Sequence, residues 1–181
     1  MNEERFPRET NMKSAYQRIA EFYGDEIAER SGVRKMNHID EGLLILDTLR
    51  AKGRVKDAYC LHPMFQDDNY LRRSFRFASD IDSRTILLVM EYRSVANDYL
   101  STKELSVDQI RLSPLTEVNL MLIADKVQNR KDFELYHEGK HERSKELAQY
   151  FRNWLERLGV SEEEYNCLKS LISRKSAAPT L

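Results

Sequence analysis

Only two cysteines occur in the 181 residues, and Cys60 and Cys167 stand in no CxxC pair or other metal-ligand spacing. The chain therefore offers neither a disulfide framework nor a thiolate metal site. Glycine and proline are scarce at six and four, which excludes collagen-like and Pro/Gly-rich low-complexity sequences. Long apolar runs are also missing. The stretch Ile86 to Met90 is among the longest, well short of the roughly 20 apolar residues a membrane-spanning helix needs. Charge of one sign is absent too, since 29 basic and 30 acidic side chains leave a net −1. No global field would gather nucleic acid or an anionic membrane surface, so a small molecule is the expected partner.

What is present is a chain 41% hydrophobic and 33% charged, a balance typical of folded, soluble, helix-rich domains. Its length suits one core. The expectation is an all-α single domain over residues 10–173, a bundle of about seven to nine helices, between a flexible arm at 1–9 and a flexible tail at 174–181. The start is charged rather than apolar, so a cytoplasmic location is expected.

Apolar residues at three- and four-residue steps predict the helices. Met12, Tyr16, Ile19, Phe22 or Tyr23, and Ile27 mark the first, with Gly32 as its C-cap. The second spans about 39–52 before Gly53, with His38 at its N-terminal edge. A third begins near Arg54 and should kink or stop at Pro63, which lacks an N–H and disfavours α geometry at His62. A short basic-aromatic helix at 69–79 follows, then a helix from Arg84 to about Leu100, capped by Asp82 or Ser83. Ser113-Pro114-Leu115-Thr116-Glu117 reads as Ser cap and first-position Pro of a long helix towards Tyr136. Two more cover about 142–158 and 161–173. The stripe with Phe151 and Trp154 seals either the core or a homodimer.

Two histidines and a carboxylate delivered from separate helices can hold a divalent transition ion, and His38, His62 and Asp125 are such a set. Their order, His38 in Asn37-His38-Ile39-Asp40-Glu41, His62 in Leu61-His62-Pro63 and Asp125 in Leu122-Ile123-Ala124-Asp125-Lys126-Val127-Gln128-Asn129, resembles the HD superfamily. Within it the chain is most similar to the (p)ppGpp hydrolase domain of RelA/SpoT proteins, over roughly residues 12–137. Arg30-Ser31-Gly32 resembles the basic-Ser-Gly segment that precedes the first histidine there.

The resemblance implies a metal-dependent phosphohydrolase acting on a nucleotide or alarmone. His38, His62 and Asp125 would hold the metal, with Mn the first candidate, and Arg30, Ser31 and Asn129 would contact the substrate. The chain departs from the pattern at Pro63, where the family has Asp, and at Gln66, where it has Glu. Pro63 cannot ligate a metal and weakens the expected site, and Gln66 cannot act as a carboxylate base. Asp67 or Asp68 is then the remaining candidate to orient the attacking water. The alternative is a catalytically inactive HD-like module that senses a nucleotide or binds a protein. A synthetase half is not expected at this length.

Other features read more plainly. Glu91, Ser94 and Asp98 form a polar stripe that is either a solvated face with an Arg partner or, if it faces His38, the wall of a pocket with Arg93 as a phosphate clamp. The run Asn69 to Phe77 mixes three arginines with three aromatics, for which an amphipathic helix is preferred over nucleic-acid binding. His137 and His141 read as surface residues, and Cys60 as a small core residue.

Overall fold

A computed structural model describes residues 13–29, 31–101, 106–140 and 142–176. The expected arm at 1–9, Arg30, His141 and the last five tail residues lie outside the described residues. Eight α-helices and no strand make up the described chain: α1 (Ala15–Tyr23), α2 (Met36–Thr48), α3 (Gly53–Gln66), α4 (Asp68–Ser74), α5 (Ser83–Ser101), α6 (Thr116–Tyr136), α7 (Ser144–Arg157) and α8 (Glu162–Ser176). Short 3-10 turns occupy Phe75–Asp80 and Val107–Gln109. The fold is all-α, and none of its described helices is long and apolar enough to cross a membrane.

Two helices form the centre. α3 packs against α1, α2, α5 and α6, while α6 also meets α2, α5, α7 and α8. Each is buried around most of its circumference, α3 from Ala58 to His62 and again at Met64 and Phe65, α6 from Ala124 to Gln128 without a break. Outer helices are one-sided instead: α7 buries Trp154 and Leu155 and turns its charges outward. Trp154 is thus core within this chain, and Phe151 packs on Phe133 with ring centroids 5.6 Å apart.

Several helix boundaries differ from expectation. The first helix stops at Gly24, whose φ of +51° ends it, rather than running to Gly32. Ile27 continues the apolar spacing but is 57% exposed, so it had no core to hold it in a helix. Residues 25–29 and 31–35 instead belong to a loop closed by an antiparallel bridge between Ile27 and Arg34, with Gly32 at φ +70°. α2 begins at Met36, which puts His38 in its first turn. Gly53 opens α3 rather than closing α2.

α3 does not stop at Pro63; it runs on to Gln66. Burial of Leu61, Met64 and Phe65 on either side of the proline holds the helix together, outweighing the one lost backbone bond. α6 starts at Thr116 with Leu115 at the cap position. Ser113 and Pro114 precede it in a turn where the Ser113 hydroxyl accepts from Leu115 N–H at 3.1 Å. The C-terminal helix likewise persists past Arg174 to Ser176.

Candidate metal centre

His38 comes from the first turn of α2, His62 from the middle of α3 and Asp125 from the middle of α6. Since α3 contacts both other helices, the three side chains converge where these helices meet. His38 Nε2 lies 3.3 Å from His62 Nε2 and 3.6 Å from Asp125 Oδ1, and His62 Nε2 lies 4.0 Å from the same oxygen. Among the described residues this is the group able to hold a metal ion. A point equidistant from the three atoms falls about 2.1 Å from each, the usual length of a bond from zinc or a similar ion to imidazole nitrogen or carboxylate oxygen.

The hydrogen-bond pattern behind the histidines fixes their tautomers. Gln128 Nε2 faces two carboxylate oxygens, Glu41 Oε2 at 3.1 Å and Asp132 Oδ2 at 2.8 Å, so it must be the donating end of the amide. Its Oε1 therefore accepts from His38 Nδ1 at 2.7 Å. His62 Nδ1 lies 2.6 Å from the Tyr59 carbonyl, which can only accept. Both rings thus carry a proton on Nδ1, and in a neutral ring this leaves Nε2 as an acceptor. The two Nε2 atoms and Asp125 Oδ1, which also accepts from Asn129, face one another. The Tyr59 hydroxyl, 3.4 Å from both His38 Nε2 and the His38 carbonyl, has one proton for two acceptors at its edge. Such an array could hold a cation.

Burial sets the charges. The His62 imidazole is 2% exposed and its pKa is pushed down to about 3, first by desolvation and then by His38. It is therefore a neutral ligand. Burial would raise the Asp125 carboxyl, but the Lys126 ammonium, 2.8 Å from Oδ2, is the largest of the charges that outweigh it and hold it at about 2. Asp125 is a carboxylate and Lys126 an ammonium, kept charged mainly by Asp125 against its own burial. The Tyr92 ring lies tilted against His62 with centroids 4.8 Å apart. Desolvation and then Asp125, towards which its buried hydroxyl is directed, raise its pKa.

Gly42 completes the packing, because a Cβ there would lie 2.1 Å from the Tyr59 hydroxyl. Beneath Gln128, Glu41 and Lys131 form a buried ion pair at 2.6 Å, each side chain 3% exposed. Lys131 also reaches Asp132 at 2.8 Å.

The remaining sequence-derived candidates are placed elsewhere. Asp67 caps α4, its carboxylate accepting from Asn69 N–H at 2.6 Å, and Asp68 is ion-paired with Arg93. Neither joins the three-residue group. Arg93 donates to the Phe65 carbonyl at 3.1 Å and to the Gln66 carbonyl, which makes it the C-terminal cap of α3 rather than a free phosphate clamp. Asn129 donates to Asp125 Oδ1 at 2.8 Å, so it orients a ligand. Ser31 stays in its loop, where its hydroxyl accepts from Val33 N–H. The polar stripe is the solvated face: Arg111 bridges Glu91, Ser94 and Asp98 at 3.8, 2.8 and 3.6 Å. Cys60 is core, its thiol pushed up to about 12 by burial.

A cleft of about 1120 Å³ lies beside the cluster, with Pro63 and Met64 in its wall. Arg18, Lys35 and Arg73 line it together with Phe22, Tyr23 and Tyr70. Lys35 pairs with Glu26 at 2.6 Å and Arg18 approaches Asp80 at 3.9 Å, whereas Arg73 makes no ion pair with the described residues. Burial, then Glu26, then Asp125 raise the phenol of Tyr23 in the cleft wall. The basic-aromatic run therefore contributes Tyr70 and Arg73 to the cleft, and Tyr70 and Phe75 are 41% and 47% exposed rather than core.

Tyr59, Tyr92, Gln128, Glu41 and Lys131 were not singled out from sequence. The spacing of Gln128 three residues after Asp125 was the one available signal, because it puts both on neighbouring turns of one helical face. No family model, curated protein or solved structure matches the chain.

Proposed function

We propose that this chain is a divalent-metal-dependent phosphohydrolase of the HD type, acting on a nucleotide or alarmone such as (p)ppGpp. The observation that carries the reading is the convergence of His38 Nε2, His62 Nε2 and Asp125 Oδ1, all acceptors, with both imidazole tautomers fixed from behind. A divalent ion held there would supply Lewis-acid polarisation of a phosphoryl oxygen and activation of water. The protein's own groups have separate tasks. Asn129 and Lys126 hold Asp125 in place, Gln128 holds His38, and the Tyr59 carbonyl holds His62. In the adjoining cleft Arg73, which has no ion pair among the described residues, is a cation for a phosphate, and Phe22, Tyr23 and Tyr70 offer ring faces for a base.

A second reading, a metal-anchored binding module without turnover, is favoured by one feature. Asp67 and Asp68 are both committed to other partners, so neither stands free to orient water. Purified protein loaded with Mn²⁺ is to be assayed against ppGpp, pppGpp and a dNTP panel, with metal content and ligand binding measured in parallel. Metal with turnover supports the hydrolase, metal with ligand binding and no turnover supports the module, and absence of metal overturns both.

A further inference from the structure

We propose that Pro63 is a positioning residue, whose missing N–H frees the Tyr59 carbonyl to hold His62 with its Nε2 lone pair directed at Asp125. The inference rests on the metal-site reading above but concerns an atom outside the ligand set. In an uninterrupted α-helix the carbonyl of residue 59 accepts from the N–H of residue 63. Pro63 has no N–H, and α3 nevertheless continues from Gly53 to Gln66. The vacated carbonyl is taken instead by His62 Nδ1 at 2.6 Å.

That substitution of one donor by another has three consequences. The carbonyl is satisfied despite burial, since Tyr59 is 0% exposed, so the proline leaves no orphan acceptor. The imidazole is locked in the Nδ1–H form, because a carbonyl cannot donate. Its other nitrogen then faces His38 Nε2 at 3.3 Å and Asp125 Oδ1 at 4.0 Å. Residue 63 thus acts on the site through its neighbour's ring. His38 receives the same service from a side chain, Gln128 Oε1 at 2.7 Å. The two histidines are held by unrelated devices that give the same tautomer.

Pro63→Ala tests this, since alanine favours the helix and restores the competing N–H without adding a ligand. Histidine ¹⁵N spectra of the apo-proteins report the His62 tautomer, and Co²⁺ titration reports affinity. Wild type is expected to show the Nδ1–H form. The variant is expected to gain an Nε2–H population and to bind Co²⁺ about tenfold more weakly, within the range seen when the hydrogen-bond partner of a ligating histidine is removed. An Nε2–H wild-type ring, or a variant with unchanged tautomer and unchanged affinity, would overturn the proposal. Wild type that shows the Nδ1–H form yet takes up no Co²⁺ would refute the metal reading while leaving the role of Pro63 in fixing the ring supported by the tautomer shift.

Discussion

The α2/α3/α6 cluster and the α3/α4 junction both gather carboxylates and nitrogen groups, yet their wiring is opposite. At the junction every charge already has a protein partner: Asp67 caps a helix, Asp68 pairs with Arg93, and Arg93 also closes the end of α3. In the cluster His38 Nδ1, His62 Nδ1 and both Asp125 oxygens have protein partners, while the two Nε2 atoms and Asp125 Oδ1 still converge within 4.0 Å of one another. Residue type therefore does not separate a structural site from a ligand site. What separates them is whether the hydrogen-bond accounting closes without an outsider.

This contrast can be broken most forcefully by deleting its members one at a time. His62→Ala should weaken Co²⁺ or Mn²⁺ binding by at least about a hundredfold, because one of the three proposed ligands among the described residues is gone. Asp67→Asn and Asp68→Asn should leave affinity within about threefold, since neither carboxylate approaches the triangle. Calorimetric titration measures all three, and equal losses would erase the distinction between the two regions.

Next in size is the buried pair under the cluster. Lys131→Met strands Glu41 without its cation and should cost about 3–5 kcal/mol of folding stability, whereas Glu41→Met combined with Lys131→Met should recover much of it. Urea denaturation distinguishes these outcomes. A double variant as unstable as the single one would show that the pair is not the coupled unit described.

Gln128→Leu follows. It removes the acceptor that fixes the His38 tautomer and should cost about 10–100-fold in metal affinity, read by the same titration. The smallest effect belongs to the junction: Arg93→Ala should lower stability by about 2 kcal/mol through the lost cap on α3, with metal affinity unchanged. A large affinity loss in that variant would join the two regions into one site.

Much of this architecture was legible in the sequence, but unevenly. The helices were readable where an outer face is apolar and the other charged, as in α7, where Trp154 and Leu155 fall on the expected stripe. Boundaries failed where local pattern and tertiary burial disagree. Ile27 keeps helical spacing but meets solvent, and of the kink or stop expected at Pro63 the stop does not occur, because buried neighbours sustain the helix to Gln66. His38, His62 and Asp125 were recognisable as a set because their order resembles that of the HD superfamily, residue type alone being too common a signal. Glu41 and Lys131 were not, because nothing in a local window reveals that two charges 90 residues apart pair in the core. Pro63 itself read as a loss, since sequence shows the ligand it replaces and not the carbonyl it releases.

The central claim is that the three inward acceptors are completed by a divalent cation. Its most direct test is a titration of metal-free wild-type protein with Co²⁺, followed by visible absorption and by elemental analysis after desalting. The account predicts saturable uptake of one ion per chain, with low-symmetry Co²⁺ bands, that is abolished in Asp125→Leu protein shown by circular dichroism to remain folded. No saturable uptake by wild type, or equal uptake by that folded variant, would contradict it.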